Sequence, residues 1–331
     1  MHKPANDTLT LVMGLALIGC QLAYLGPRVV FASDQDKQAP PSVGTAPTTR
    51  FLIVCKSKVA DPQEQQQRGI DAVRKIAKAA GETRRGAIVD SLAENVTTIQ
   101  QYRRGQVQEK VTGAIFRDRL RRLTETASAQ DTVVLYTHSH GRQNGFEESQ
   151  PLGGIVLDLP VRKPEHGGAL LWDEYADLLL KIPAKNVVVL TMSCFAGGLV
   201  EHLDSRSVRD RWKNRRQKEG RNFIVLTSQN GSLPSGPIVK NGELINPFTY
   251  AVAQALGGEA DGFVLAGGKP VSGKPKDGKL SVGEIIDFIL YTTENTESER
   301  AKIRNTARPQ VTGSFNRSDV LFEAGSRGNS R

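Results

Sequence analysis

Two apolar runs in this 331-residue chain end on residues able to do chemistry. Val133-Val-Leu-Tyr-Thr-His-Ser-His-Gly141 reads as a strand that runs out into His140 and a glycine. Val187-Val-Val-Leu-Thr-Met-Ser-Cys-Phe-Ala-Gly-Gly198 reads as a second strand that runs out into Cys194, with a helix to follow. A thiol needs a nearby base or a helix N-terminus to supply thiolate at neutral pH, and this pattern offers Cys194 both. If the two strands are neighbours in a parallel sheet, about 5 Å apart, Cys194 and His140 can meet above its carboxyl edge. Cys194 would then be the nucleophile and His140 its proton-transfer partner. The backbone N–H groups of Gly141 and Cys194 could point at a developing oxyanion, and glycine permits the close approach. His138 stands in the same strand end as a competing base; the glycine after His140 favours His140.

The elements that must position these residues are visible as an alternation. Phe51 to Cys55, Thr132 to Tyr136, Asn186 to Thr191 and Phe223 to Thr227 are short, continuously apolar runs of buried-strand type, and Asn95 to Ile99 is a weaker one. Helical spacing appears from Ile70 to a stop at Gly81, and from a Thr112 cap through Ile115, Leu120 and Leu123. It recurs over Leu170 to Leu180 and Phe248 to Leu256, and after Ser281-Val-Gly-Glu284, which has capping-box spacing. Val320 to Phe322 is expected to close the sheet. Strands that are apolar throughout and alternate with helices predict an α/β fold, a mostly parallel central sheet flanked by helices. In such sheets ligands bind at the carboxyl ends of the strands, where His140 and Cys194 fall.

Composition narrows the function classes. The net charge is +9, yet Arg206 to Arg221 alone holds eight basic residues against Asp210 and Glu219, which is +6. No aromatic-rich basic sheet or groove-reading motif accompanies the cluster, so no nucleic-acid partner is expected. Burying eight cations with two acids would be costly, and the segment is expected to be exposed and open to trypsin-like cleavage. Three cysteines (Cys20, Cys55 and Cys194) make a poor disulfide framework. Cys55 reads as a small apolar residue at a strand end.

The organisation follows. Residues 1–33 read as a signal peptide or membrane anchor, carried by the uncharged run Leu9 to Leu25. Val-Phe-Ala-Ser before Asp34 would serve as a cleavage site, and Leu17-Ile18-Gly19-Cys20 is similar to a lipoprotein box. Export or anchoring in the cell envelope is expected, with the N-terminal segment in contact with a membrane if it is retained. Residues 34–49 read as a flexible linker and 50–325 as the folded domain.

The two reactive strand ends resemble those of the caspase-like clan of cysteine peptidases (caspases, metacaspases and legumains). There one strand runs into His-Gly and a later one into a cysteine followed by small residues. The spacing of 54 positions between His140 and Cys194 fits the roughly 50 of caspases. Val225-Leu-Thr-Ser-Gln229, Asn246-Pro-Phe-Thr-Tyr-Ala-Val-Ala-Gln-Ala-Leu256, Asp277-Gly-Lys-Leu-Ser-Val-Gly-Glu284 and Arg308-Pro-Gln310 are also similar to segments of that clan. The resemblance implies a caspase-like three-layer sandwich, a cysteine endopeptidase acting on peptide or protein substrates, and no cofactor or metal. It places Met192, Ser228 and Gln229 beside the specificity pocket. Metacaspases and legumains usually carry an acid where Met192 stands, so cleavage after Arg or Lys is not expected. In caspases and some metacaspases the region matching Arg206 to Arg221 is a surface linker cut during maturation; a solvated helix extension or loop that is never processed is the preferred reading.

Two other readings compete. Thr137-His-Ser-His-Gly141 is one residue away from a Gly-x-Ser-x-Gly elbow, which would make Ser139 the nucleophile of a serine hydrolase, but no histidine follows His202 to serve it. A non-catalytic relative acting as a binding or scaffold protein is the other; retention of both His140 and Cys194 weighs against it. Asp277 to Glu284 has the ending of a calcium loop, but Gly273 and Pro275 would fill its first ligand positions, so it reads as a turn and helix cap.

Overall fold

The structure, a computed structural model, describes residues 47–55, 88–93, 111–143, 153–157, 168–236, 238–240, 243–271, 275–296 and 307–323. Its centre is a six-stranded sheet. The β-branched runs form β1 (Thr49–Cys55), β3 (Thr132–His138), β7 (Asn186–Met192) and β8 (Asn222–Thr227), every residue of the last three being buried. With β2 (Ile88–Ala93) and β14 (Gln310–Ser314) the order is β14-β8-β7-β3-β1-β2. All neighbours are parallel except β14, which runs antiparallel to β8.

Side chains alternate across the sheet and so build two cores. Leu52, Leu135, Val189 and Val225 pack with α1 (Gly113–Thr126), α2 (Trp172–Lys181), α3 (Gly197–Asp204) and α4 (Arg206–Glu219). Ile53, Val134, Leu190 and Leu226 pack with α5 (Pro247–Gln254) and α6 (Val282–Asn295) on the other face. The result is a three-layer α/β sandwich around a mostly parallel sheet, as the alternation predicts. Short strands complete it: β4 (His140–Arg142), β5 (Gly154–Val156) and β6 (Ala169–Leu171) form one antiparallel sheet. Hairpins join β9 (Ile238–Lys240) to β10 (Glu243–Ile245) and β11 (Leu265–Ala266) to β12 (Lys269–Pro270), and β13 (Lys279–Ser281) pairs with β15 (Val320–Glu323).

Two points differ from expectation. Val320 to Phe322 does not close the central sheet: it belongs to β15, and the edge is β14, whose polar Gln-Val-Thr-Gly-Ser lacks an apolar signature. β2 also lies at an edge and is interrupted by Asp90 and Ser91, which hid it. The basic segment takes the helical form of the preferred reading, a regular helix, α4, docked by buried Val208 and Trp212, with the Trp212 indole donating to the Leu203 carbonyl at 3.1 Å. Arg206, Arg211, Lys213 and Lys218 are exposed, and Arg211 pairs with Asp177 at 3.0 Å. The expected helix over Ile70 to Gly81 and strand over Asn95 to Ile99 lie outside the described residues, as do residues 1–33. No helix among the described residues is long and apolar enough to cross a membrane.

The amino edge of the sheet is tied by one carboxylate. Asp131 accepts from the Arg50 guanidinium at 2.8 Å, from Thr48 N–H and from Ser128. Burial pushes the Asp131 carboxyl up, but Arg50 and the backbone donors of Ser128 and Thr48 outweigh it and hold it below 3.8. The chain is therefore already fastened at Thr48, inside the stretch expected to be linker.

Candidate active site

β3 and β7 pair in register from Thr132 with Asn186 to His138 with Met192. One further bond, from Ser139 N–H to the Met192 carbonyl at 3.1 Å, extends the pairing past the strand ends. His140 and Cys194 each stand two residues beyond a paired position on adjacent parallel strands, about 5 Å apart. The register therefore brings the backbones of both residues to the same carboxyl edge. Beyond it the chains part: His140 opens β4, and Cys194 opens the turn into α3.

Gly141 joins the two branches. A Cβ at this position would overlap the Cys194 carbonyl oxygen and lie 2.9 Å from its carbon. Only glycine lets the chain after His140 lie flat on the cysteine's own peptide, so the His-Gly pair is a packing requirement here. Cys194 is a free, half-buried thiol. Phe195 next to it has φ 56, the one positive φ at a non-glycine among the described residues. Such a conformation costs about 1–3 kcal/mol and persists only where neighbours hold it. Here Phe195 N–H donates to the Leu233 carbonyl at 3.0 Å.

The segment 230–236 comes back over this turn. Ser235 N–H donates to Cys194 Sγ at 3.3 Å, and the thiol faces the Ser235 carbonyl oxygen at 3.6 Å. Asn246, the cap of α5, accepts from Phe248 and Thr249 N–H through Oδ1 and donates to Ser235 Oγ at 3.1 Å through Nδ2. Sequence reading missed Ser235 and Phe195. The available signals were a Pro-Ser-Gly loop and Asn-Pro, a cap followed by proline at the first helical position.

His138 is engaged elsewhere. It is buried beside Tyr136 and Thr249, its Nδ1 3.4 Å from the Tyr136 hydroxyl and 3.5 Å from Thr249 Oγ1, and those two hydroxyls share a 2.6 Å bond. Burial first, and the charge of His140 second, lower its pKa to about 4, so it is neutral at physiological pH. Ser139 is buried with its hydroxyl donating to the His140 carbonyl at 3.0 Å, the position of a framework group rather than a nucleophile.

The three residues expected beside the specificity pocket are all buried. Met192 lies in the core beneath α5 and α6. Ser228 is bonded twice to the Ser193 backbone, and Gln229 accepts the Arg308 N–H at 2.8 Å. Their polar atoms brace the cysteine strand and the edge instead of facing a cleft. Cys55 is buried at the end of β1, as a small apolar residue would be.

No group of three or more His, Cys, Asp or Glu side chains among the described residues could hold a metal ion. The Asp277 to Glu284 acids are spent on backbone: Asp277 accepts from Lys279 N–H, and Glu284 completes a capping box with Ser281.

No family model matches the chain, and no curated protein matches it. Among solved structures, a crystal structure of protein GSU0716 from Geobacter sulfurreducens is similar at 14% identity, over 81% of this chain and 94% of that one, with a TM-score of 0.43. A likeness of that size says nothing about chemistry.

Proposed function

We propose that this chain is a cysteine endopeptidase in which Cys194 attacks the scissile carbonyl and His140 moves the proton. The single observation that supports the reading is the register of β3 and β7, which brings the chain at His140 and Cys194 to one sheet edge with Gly141 packed on the cysteine peptide. In the reaction His140 takes the thiol proton, and the thiolate forms a tetrahedral adduct whose oxyanion is met by the N–H groups of Gly141 and Cys194. Collapse breaks the C–N bond as His140 protonates the leaving amine. Water, with His140 as base, then releases the acyl group from the thioester. The resemblance to caspase-like peptidases points to the same chemistry, to peptide or protein substrates, and to an exported or membrane-anchored enzyme. With Met192 buried where those relatives carry an acid, cleavage after Arg or Lys is not favoured.

A peptide-library cleavage profile tests this. Cys194→Ala should abolish hydrolysis and His140→Ala reduce it by at least 100-fold, while Cys55→Ser and Ser139→Ala stay near wild type. Full activity in Cys194→Ala refutes the assignment. A second reading, a binding protein of the same fold without turnover, is favoured by one observation: Ser235 already sits on Sγ.

A further inference from the structure

We infer that residues 230–236 form a built-in gate over Cys194, a stretch of the chain's own backbone that occupies the place of a substrate main chain and must lift before a substrate can bind. The inference rests on Cys194 being the nucleophile. A peptide carbonyl carbon has to come within about 3–3.5 Å of an attacking sulfur. That space is taken: Ser235 presents both its N–H, at 3.3 Å, and its carbonyl oxygen, at 3.6 Å, to Sγ.

The gate is docked along its length. It runs back along the start of α3, with Gly231 over Gly197 and Glu201, Leu233 over Phe195, and Ser235 over Cys194. Two glycines make that approach possible. A Cβ on Gly197 would overlap Gly231 N and Gln310 Oε1, and one on Gly231 would overlap the Glu201 carboxylate. A turn at its start is closed by Asn230 Oδ1, which accepts from Ser232 N–H at 3.1 Å. Asn246 holds its far end through Ser235 Oγ. The gate nevertheless has no regular secondary structure, and Ser232, Pro234 and Gly236 are exposed. Its bonds at Leu233 and Ser235 lie outside β8 and α5, so the gate can lift there while those elements stay formed.

Its fastening is local, so loosening it should be simple. Ser235→Ala removes the tether to Asn246 but leaves the Asn246 cap and the Ser235 main chain in place. Pro234→Gly widens the range of open conformations instead. The measurement is the rate at which iodoacetamide alkylates Cys194 in the full chain, read by mass spectrometry of the cysteine-bearing peptides, with buried Cys55 as internal reference. Loss of one hydrogen bond should raise the Cys194 rate about fivefold in Ser235→Ala. Pro234→Gly should raise it in the same direction, with Cys55 unchanged in both. A gated site also lowers apparent affinity by its open fraction, so KM should fall by a similar factor while kcat holds. Alkylation within twofold of wild type in both variants, or slower, overturns the gate. Faster alkylation without any peptide hydrolysis upholds the gate and sinks the peptidase reading. Hydrolysis with unchanged alkylation does the reverse.

Discussion

Gly141→Ala is the substitution that most directly tests how the strand ends are joined. The added methyl would overlap the Cys194 carbonyl oxygen, sit 2.9 Å from its carbon and 3.0 Å from Ser193 Oγ, where Cβ atoms are essentially never found under 3.0 Å. The obstructing atoms are backbone, so no side chain can rotate aside. Either the chain after His140 or the turn after β7 must retreat, by on the order of 1 Å, and a misplacement of that size costs about 100-fold in rate. A 100-fold loss in kcat/KM equals about 2.7 kcal/mol of transition-state stabilisation. Global stability should suffer less, by about 1–3 kcal/mol, because the overpacking is confined to the carboxyl edge of the sheet. Steady-state kinetics on a peptide chosen from the library profile, beside a thermal melt, separates the two effects. A kcat/KM within threefold of wild type would refute the claim that this contact sets the spacing of His140 and Cys194.

Two further outcomes follow from the buried groups. His138 has its pKa depressed from 6.5 to about 4, so the unfolded chain takes up a proton that the folded one refuses. Its contribution to stability is complete above about pH 6.5 and is lost progressively as pH falls toward 4; His138→Gln should flatten that part of a denaturation-versus-pH profile, and an unchanged slope would show that the residue is not buried neutral. Trp212→Ala should cost about 3–5 kcal/mol and release α4, so that limited trypsin digestion moves to residues 206–221, which the docked wild-type helix protects; early wild-type cuts there would contradict the docking.

How much of this was legible in the sequence depended on where the signal resided. β1, β3, β7 and β8 are uniformly apolar because they are covered on both faces, and such runs announce themselves. The Ser281 capping box and the Thr112 cap were legible because capping is local chemistry. Strands β2 and β14 were not, since they are the outermost strands among the described residues and polar residues are tolerated at an edge. Charge counting gave the exposure of Arg206 to Arg221 but not its docking. Two buried anchors, Val208 and Trp212, dock the helix, and a net charge cannot reveal them.

The candidate site divides along the same line. His140 and Cys194 were readable because each follows a strand whose pattern is strong, and parallel register then carries both to one edge. What surrounds them depends on tertiary contact. Nothing local distinguishes His138 from His140; His138 is the last residue of β3, on the face of Tyr136, and is covered by Thr249 of α5, whereas His140 lies beyond the strand end. Ser228 and Gln229 are polar residues at a strand end, a place where either a substrate or the protein's own backbone can satisfy them. Here Ser193 and Arg308 do so. The same ambiguity governs Ser235: a sequence shows a short Pro-Ser-Gly loop but not what it rests on. Main-chain groups carry no sequence signature, yet they are what a peptidase must recognise in its substrate. A segment that satisfies Cys194 through its main chain therefore escapes residue-level reading in principle, and the sulfur's own contacts are what expose it.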